Sequence, residues 1–104
     1  MTTYNLQSPT TGNPVPNQFA ICIHDRMIFK SYDKIIAIRN SITGETMVNR
    51  DYWDCSQTTL KYFKVWLGTD MTKAKLTKHM ADNYPKYSLV GDLMITNTYE
   101  SLVS

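Results

Sequence analysis

The stretch "YWDCSQTTLKYFKVWLG", residues 52–68, gathers a thiol, three aliphatic hydroxyls, a carboxylate and five aromatic rings. Three chemistries could use such a set. Cys55 could act as a nucleophile, because the dipole at a helix start favours a thiolate. Covalent catalysis also needs a base, and the chain has only His24 and His79, at distances the sequence does not specify. Asp51 and Asp54 could bind a metal, but no third oxygen ligand has a recognisable spacing from them. Ser56, Thr58 and Thr59 could cradle an anion at a helix N-terminus. No glycine-rich phosphate loop accompanies them. For each group a plain structural role is simpler: Asp54 as a helix cap with Ser56 competing, hydroxyls in the first turn, and a passive thiol. No catalytic, metal or cofactor site is expected, and the protein is read as not an enzyme.

A second set is basic. Lys73, Lys75 and Lys78 lie in "TKAKLTKH", and Arg50, Lys61 and Lys64 precede them. Together they are the candidate contacts for a partner or for nucleic acid. Lys73 and Lys75 diverge by about 200° around a helix, so the charge is spread round the axis rather than gathered on one face. Tyr32 and Phe29 could stack on bases, yet residues three apart point to opposite faces of a regular strand.

These residues need a scaffold, and the pattern supplies one. "FAICI" and "RMIFKSY" flank the polar pair His24 and Asp25 and predict a hairpin, with "FAICI" buried on both faces and Cys22 in the core. "KIIAIRN" and "ETMVN" flank "SITG", where Gly44 suits a hairpin turn. Asp54 with Gln57 three residues on, and Gly68 beyond, predict a helix over residues 55–67 with Leu60, Phe63 and Leu67 inward. A second helix is expected over residues 72–83, capped by Asp70 or Thr72 and stopped by Pro85, with Leu76, Met80 and Tyr84 stacked. "KYSLVGDLMITNTY" reads as a last edge strand or an extended tail. Residues 1–18 hold three of the four prolines and no repeating apolar face, and are read as a flexible arm before a single domain over residues 19–104. The fold class is α+β: an antiparallel sheet of three to five strands against one or two helices.

Composition narrows the function. With 104 residues, 42% hydrophobic and 19% charged, the chain suits one folded domain. A formal charge of +2 is too small for the field of a dedicated nucleic-acid binder. Two cysteines without a C-x-x-C pair signal neither a zinc module nor a disulfide framework, and suit a reducing cytoplasm. No run approaches the roughly 20 apolar residues of a membrane span, and the start lacks a signal-peptide pattern.

"FKSYDKIIAIRN" and "YWDCSQTTLKYFKVWL" carry a resemblance. Residues 27 to 67 resemble small proteins of bacteriophages and other mobile elements, in which a Ser-Tyr strand leads to an apolar strand, a hairpin and a Trp-Asp-x-Ser-x-Thr-Thr helix start. "YSLVGDL" is weakly similar as well, and Cys55 stands where another aromatic is expected. The resemblance implies a phage-type origin and a bacterial host cytoplasm, but transfers no functional residue. The expected function is a small accessory protein that binds and modulates a host protein, with inhibition of a bacterial immune complex as one specific form. The alternative is a small nucleic-acid-binding phage regulator.

Overall fold

Prolines, threonines and asparagines near the N-terminus turn out to build a hairpin. In the computed structural model, which describes residues 2–91, β1 (Thr2–Gln7) pairs antiparallel with β2 (Pro14–Ile23). The segment read as a flexible arm is therefore part of the sheet. Its polar residues make the turn: Ser8 Oγ accepts from the backbone N–H groups of Thr10 and Thr11, and Gly12 takes φ 76° while donating to the Ser8 carbonyl. An edge strand held by backbone bonds needs no alternating apolar pattern, and in β1 only Leu6 is buried.

The other strands follow in chain order. The tight turn at His24 and Asp25 joins β2 to β3 (Arg26–Ser31), as expected. A second turn at Tyr32 and Asp33 leads to β4 (Lys34–Asn40), and Gly44, at φ 80°, lies in the turn before β5 (Thr46–Asn49). Two helices, α1 (Gln57–Leu67) and α2 (Lys73–Asp82), then carry the chain to β6 (Tyr87–Val90). β6 pairs parallel with β5, as a long crossover permits. Among the described residues the sheet thus has six strands in the order β1-β2-β3-β4-β5-β6, mixed rather than wholly antiparallel. The strand beyond the expected three to five is β1, while β6 is the last edge strand, one of the two readings given to "KYSLVGDLMITNTY". The remainder of that tail lies outside the described residues.

One bulge decides how four consecutive apolar residues of β4 are used. Phe29 faces Ala37 and Lys30 faces Ile35, so Ile36 is the extra residue. Ile36 and Ala37 pack into the core under the helices, whereas Ile35 and Ile38 join Ile21, Ile23 and Ile28 in a separate cluster. Cross-strand register places Ile21, Ile28 and Ile38 in one row. "FAICI" is accordingly packed on both faces, although Cys22, expected in the core, is only part-buried.

Ser56 wins the competition to cap α1. Its Oγ accepts from Thr59 N at 3.1 Å, so the helix begins at Gln57, and Asp54 instead pairs with Lys73. Gly68 closes the helix at φ 78°, its N–H reaching the Lys64 and Val65 carbonyls. Phe63 is fully buried, while Leu60 and Leu67 line the margin of the core. The rings of Phe29, Phe63 and Trp66 stack with centroids 6.1 to 6.2 Å apart, and Trp53 meets Phe63 edge-on at 6.0 Å. Thr72 caps α2 through Lys75 N, and Leu76 and Met80 are buried as expected. Tyr84, expected in the same stack, lies beyond the helix end and is exposed. Among the described residues, no helix is long and apolar enough to cross a membrane.

Candidate interaction surface

Asn49 positions the segment between β5 and α1. Fully buried, it donates from Nδ2 to the Ile35 carbonyl and accepts on Oδ1 from Asp51 N, while its own carbonyl accepts from Trp53 N. These bonds hold residues 50–56 against the start of β4 and hence beside the β3–β4 turn. Tyr32 and Tyr52 meet solvent there, 52% and 37% exposed, and the Lys34 ammonium lies 5.1 Å from the centre of the Tyr52 ring.

Tyr32 has φ 56°, with its N–H bonded to the Asn17 carbonyl at 2.7 Å. Glycine would take this left-handed conformation freely, whereas a side chain with a Cβ incurs about 1 to 2 kcal/mol. A large ring is thus held outward on a strained turn. Phe29, its suggested companion in base stacking, is fully buried beneath Phe63.

The six candidate cations do not form one free patch. Arg50 pairs with Asp51 at 3.6 Å, Lys73 with Asp54 at 3.1 Å, and Lys78 with Asp82 at 3.8 Å. Lys61 lies over the Tyr62 ring at 5.5 Å. Lys64 occupies the last turn of α1, where a cation complements the helix dipole, and Lys75 stands exposed on α2. Exposed pairs of this kind contribute little to stability, but each offsets one positive charge that a phosphate would meet.

The residues considered for catalysis are occupied separately. Cys55 is exposed, and its sulfur lies 3.8 Å from Thr59 Oγ1. His79 stacks edge-on against Tyr87 and contacts Asn83, while His24 sits in the β2–β3 turn at the opposite end of β3 from Ser31. The structure does not bring a histidine to Cys55 among these contacts. Asp51 and Asp54 each face a cation rather than a shared site.

Sequence reasoning missed a hydroxyl cluster under α1, buried at Ser31 and Thr59 and opening to solvent at Ser56. Thr59 Oγ1 lies 3.0 Å from Ser31 Oγ and 3.1 Å from Ser56 Oγ, tying the helix start to the end of β3. Gln18, opposite Ser31 across the strands, is fully buried, and its amide atoms have no hydrogen-bond partner among the described residues. Thr59 three residues after Ser56 could have hinted at a polar first turn. Nothing in the sequence pairs Gln18 with Ser31.

The chain belongs to the family of unknown function DUF8033, which matches residues 2–83, from β1 to the end of α2. No curated protein and no solved structure matches it.

Proposed function

We propose that this family member is a non-enzymatic binding protein that engages another protein through the end of the sheet formed by Tyr32, Lys34 and Tyr52. The carrying observation is Tyr32, a half-exposed aromatic kept at a positive φ that a smaller residue would accept at lower cost. Tyrosines combine large contact area with few rotatable bonds, which suits them as anchors in protein interfaces. Ion pairing of Arg50, Lys73 and Lys78 favours a protein partner over a phosphate backbone. The resemblance of residues 27 to 67 to phage and mobile-element proteins supports a host protein as that partner, and a bacterial immune complex as its specific form.

Two measurements test this reading. Capture from nuclease-treated bacterial lysate should retain a protein that the Tyr32→Ala/Tyr52→Ala double variant loses, with its melting curve intact. Titration of labelled DNA and RNA at about 0.15 M salt should show no binding tighter than about 10 μM, near the nonspecific range. Submicromolar nucleic-acid binding that disappears when Lys64, Lys73, Lys75 and Lys78 become alanine would replace this function with the regulator alternative.

A further inference from the structure

The two edges of the sheet differ in charge. Residues 1–23 contain no Asp, Glu, Lys or Arg, so β1 and all of β2 are uncharged in their side chains. No strand pairs with the outer side of β1 among the described residues. Edge strands are ordinarily protected by lysines, prolines, inward charges or bulges; β1, "TTYNLQ", has none of the first three, and its pairing with β2 shifts register between Asn5 and Gln7. The β6 edge is different: Lys86 precedes it, and the Arg50 guanidinium and Asp51 carboxylate crowd Gly91 just after it. Along β1, Tyr4 is 48% exposed and borders a groove of about 450 Å³ lined by Leu6, Pro9 and Val65 of α1.

We infer that β1 is a self-association edge, where a second copy of this chain adds its own β1 antiparallel about a two-fold axis. Charge decides the occupant. Two identical edges bearing lysines would repel each other, whereas identical neutral edges meet without that cost, and antiparallel pairing of a strand with itself matches every donor to an acceptor. The register that brings the two Asn5 residues opposite each other sets Tyr4 of one copy against Leu6 of the other. Both residues lie on the helix-bearing face, so each Tyr4 ring enters the other copy's groove. The sheets then join into one continuous sheet, twelve strands counted from the six that the described residues of each copy form. This surface is separate from the tyrosine end at Tyr32 and Tyr52, and leaves that end open in both copies.

Sedimentation equilibrium of the full chain tests the inference. A dimer with a dissociation constant at or below about 100 μM is expected, the range of a small interface. Tyr4→Lys should weaken it by about tenfold or more without altering the melting temperature. Should that variant fold poorly, Thr3→Lys, on the exposed opposite face of β1, serves the same purpose. Amide exchange in residues 2–7 should slow as chain concentration rises. Leu89→Lys, on the β6 edge, should leave the dimer unchanged. A chain monomeric at about 1 mM, well above the expected constant, overturns the proposal. So does a dimer indifferent to both β1 lysines, or one that Leu89→Lys dissociates.

Discussion

The two faces of the sheet are packed by different means. Under the helices, the core joins stacked rings of Phe29, Phe63 and Trp66 to a hydroxyl cluster at Ser31, Ser56 and Thr59, and the Gln18 amide on the strand beside it has no hydrogen-bond partner among the described residues. The other face is an apolar cluster of five isoleucines with Val90 packed against it, and among the described residues no helix residue takes part. Aromatic geometry and hydrogen bonds are directional, so the helix-bearing face specifies how α1 sits. Branched aliphatic packing is far less directional and mainly excludes water. The difference places structural specificity on one side of the sheet and generic burial on the other.

The largest test of this contrast is Phe63→Ala. Removing the ring at the centre of the stack should cost about 3 to 5 kcal/mol in chemical denaturation, on a domain whose total is about 5 to 15 kcal/mol. A loss below about 1 kcal/mol would mean the stack does not organise the core. Gln18→Met should act in the opposite direction. Replacing a buried amide that has no partner among the described residues with an apolar chain of similar length should stabilise by about 1 to 3 kcal/mol, seen as a higher denaturation midpoint at constant slope. A loss instead would show that the amide is satisfied in solution.

On the isoleucine face, Ile28→Val removes one methylene from the middle of the row and should cost about 0.5 to 1.5 kcal/mol. If it costs as much as Phe63→Ala, the two faces are equally demanding and the comparison fails. At the exposed tyrosine end, Tyr32→Gly should relieve the positive φ, offset in part by the added freedom of the unfolded chain, for a net gain of up to about 1 kcal/mol. The same variant should bind its captured partner more weakly, a combination that separates an interface residue from a structural one. The smallest effect belongs to Cys55→Ser: both the melting curve and partner binding should stay unchanged, and loss of binding in a stably folded variant would restore a role for the thiol.

Local signals in the sequence hold where a residue's effect stays within its own turn. Gly44 and Gly68 have the positive φ that their positions suggested, the His24 and Asp25 turn joins the expected strands, and Leu76 and Met80 share the buried side of α2. The errors arose where long-range pairing decides the outcome. "TTYNLQ" has no apolar alternation, yet it becomes a strand because β2 offers a free edge to its backbone. Asp54 has capping chemistry and the right spacing, but Lys73, nineteen positions later, takes its carboxylate, and Ser56 caps. The candidate cations were visible as residues. Two of their acids, Asp51 and Asp82, lay close in sequence, while the Asp54 pairing depended on how α2 packs near the start of α1.

By itself the sequence determined the turns at His24–Asp25 and Gly44, both helices, the α+β class and the absence of charge before Asp25, because each depends on the type and spacing of neighbouring residues. Only the tertiary structure decided that the N-terminus joins the sheet, that the β4 bulge keeps the neighbours Ile36 and Ala37 on one face, and that Lys34, two residues after Tyr32, lies over the Tyr52 ring. The physical reason is that strand pairing and register are contacts between residues distant in the chain. Their energies depend on which edges and faces remain to be satisfied once the local elements have formed.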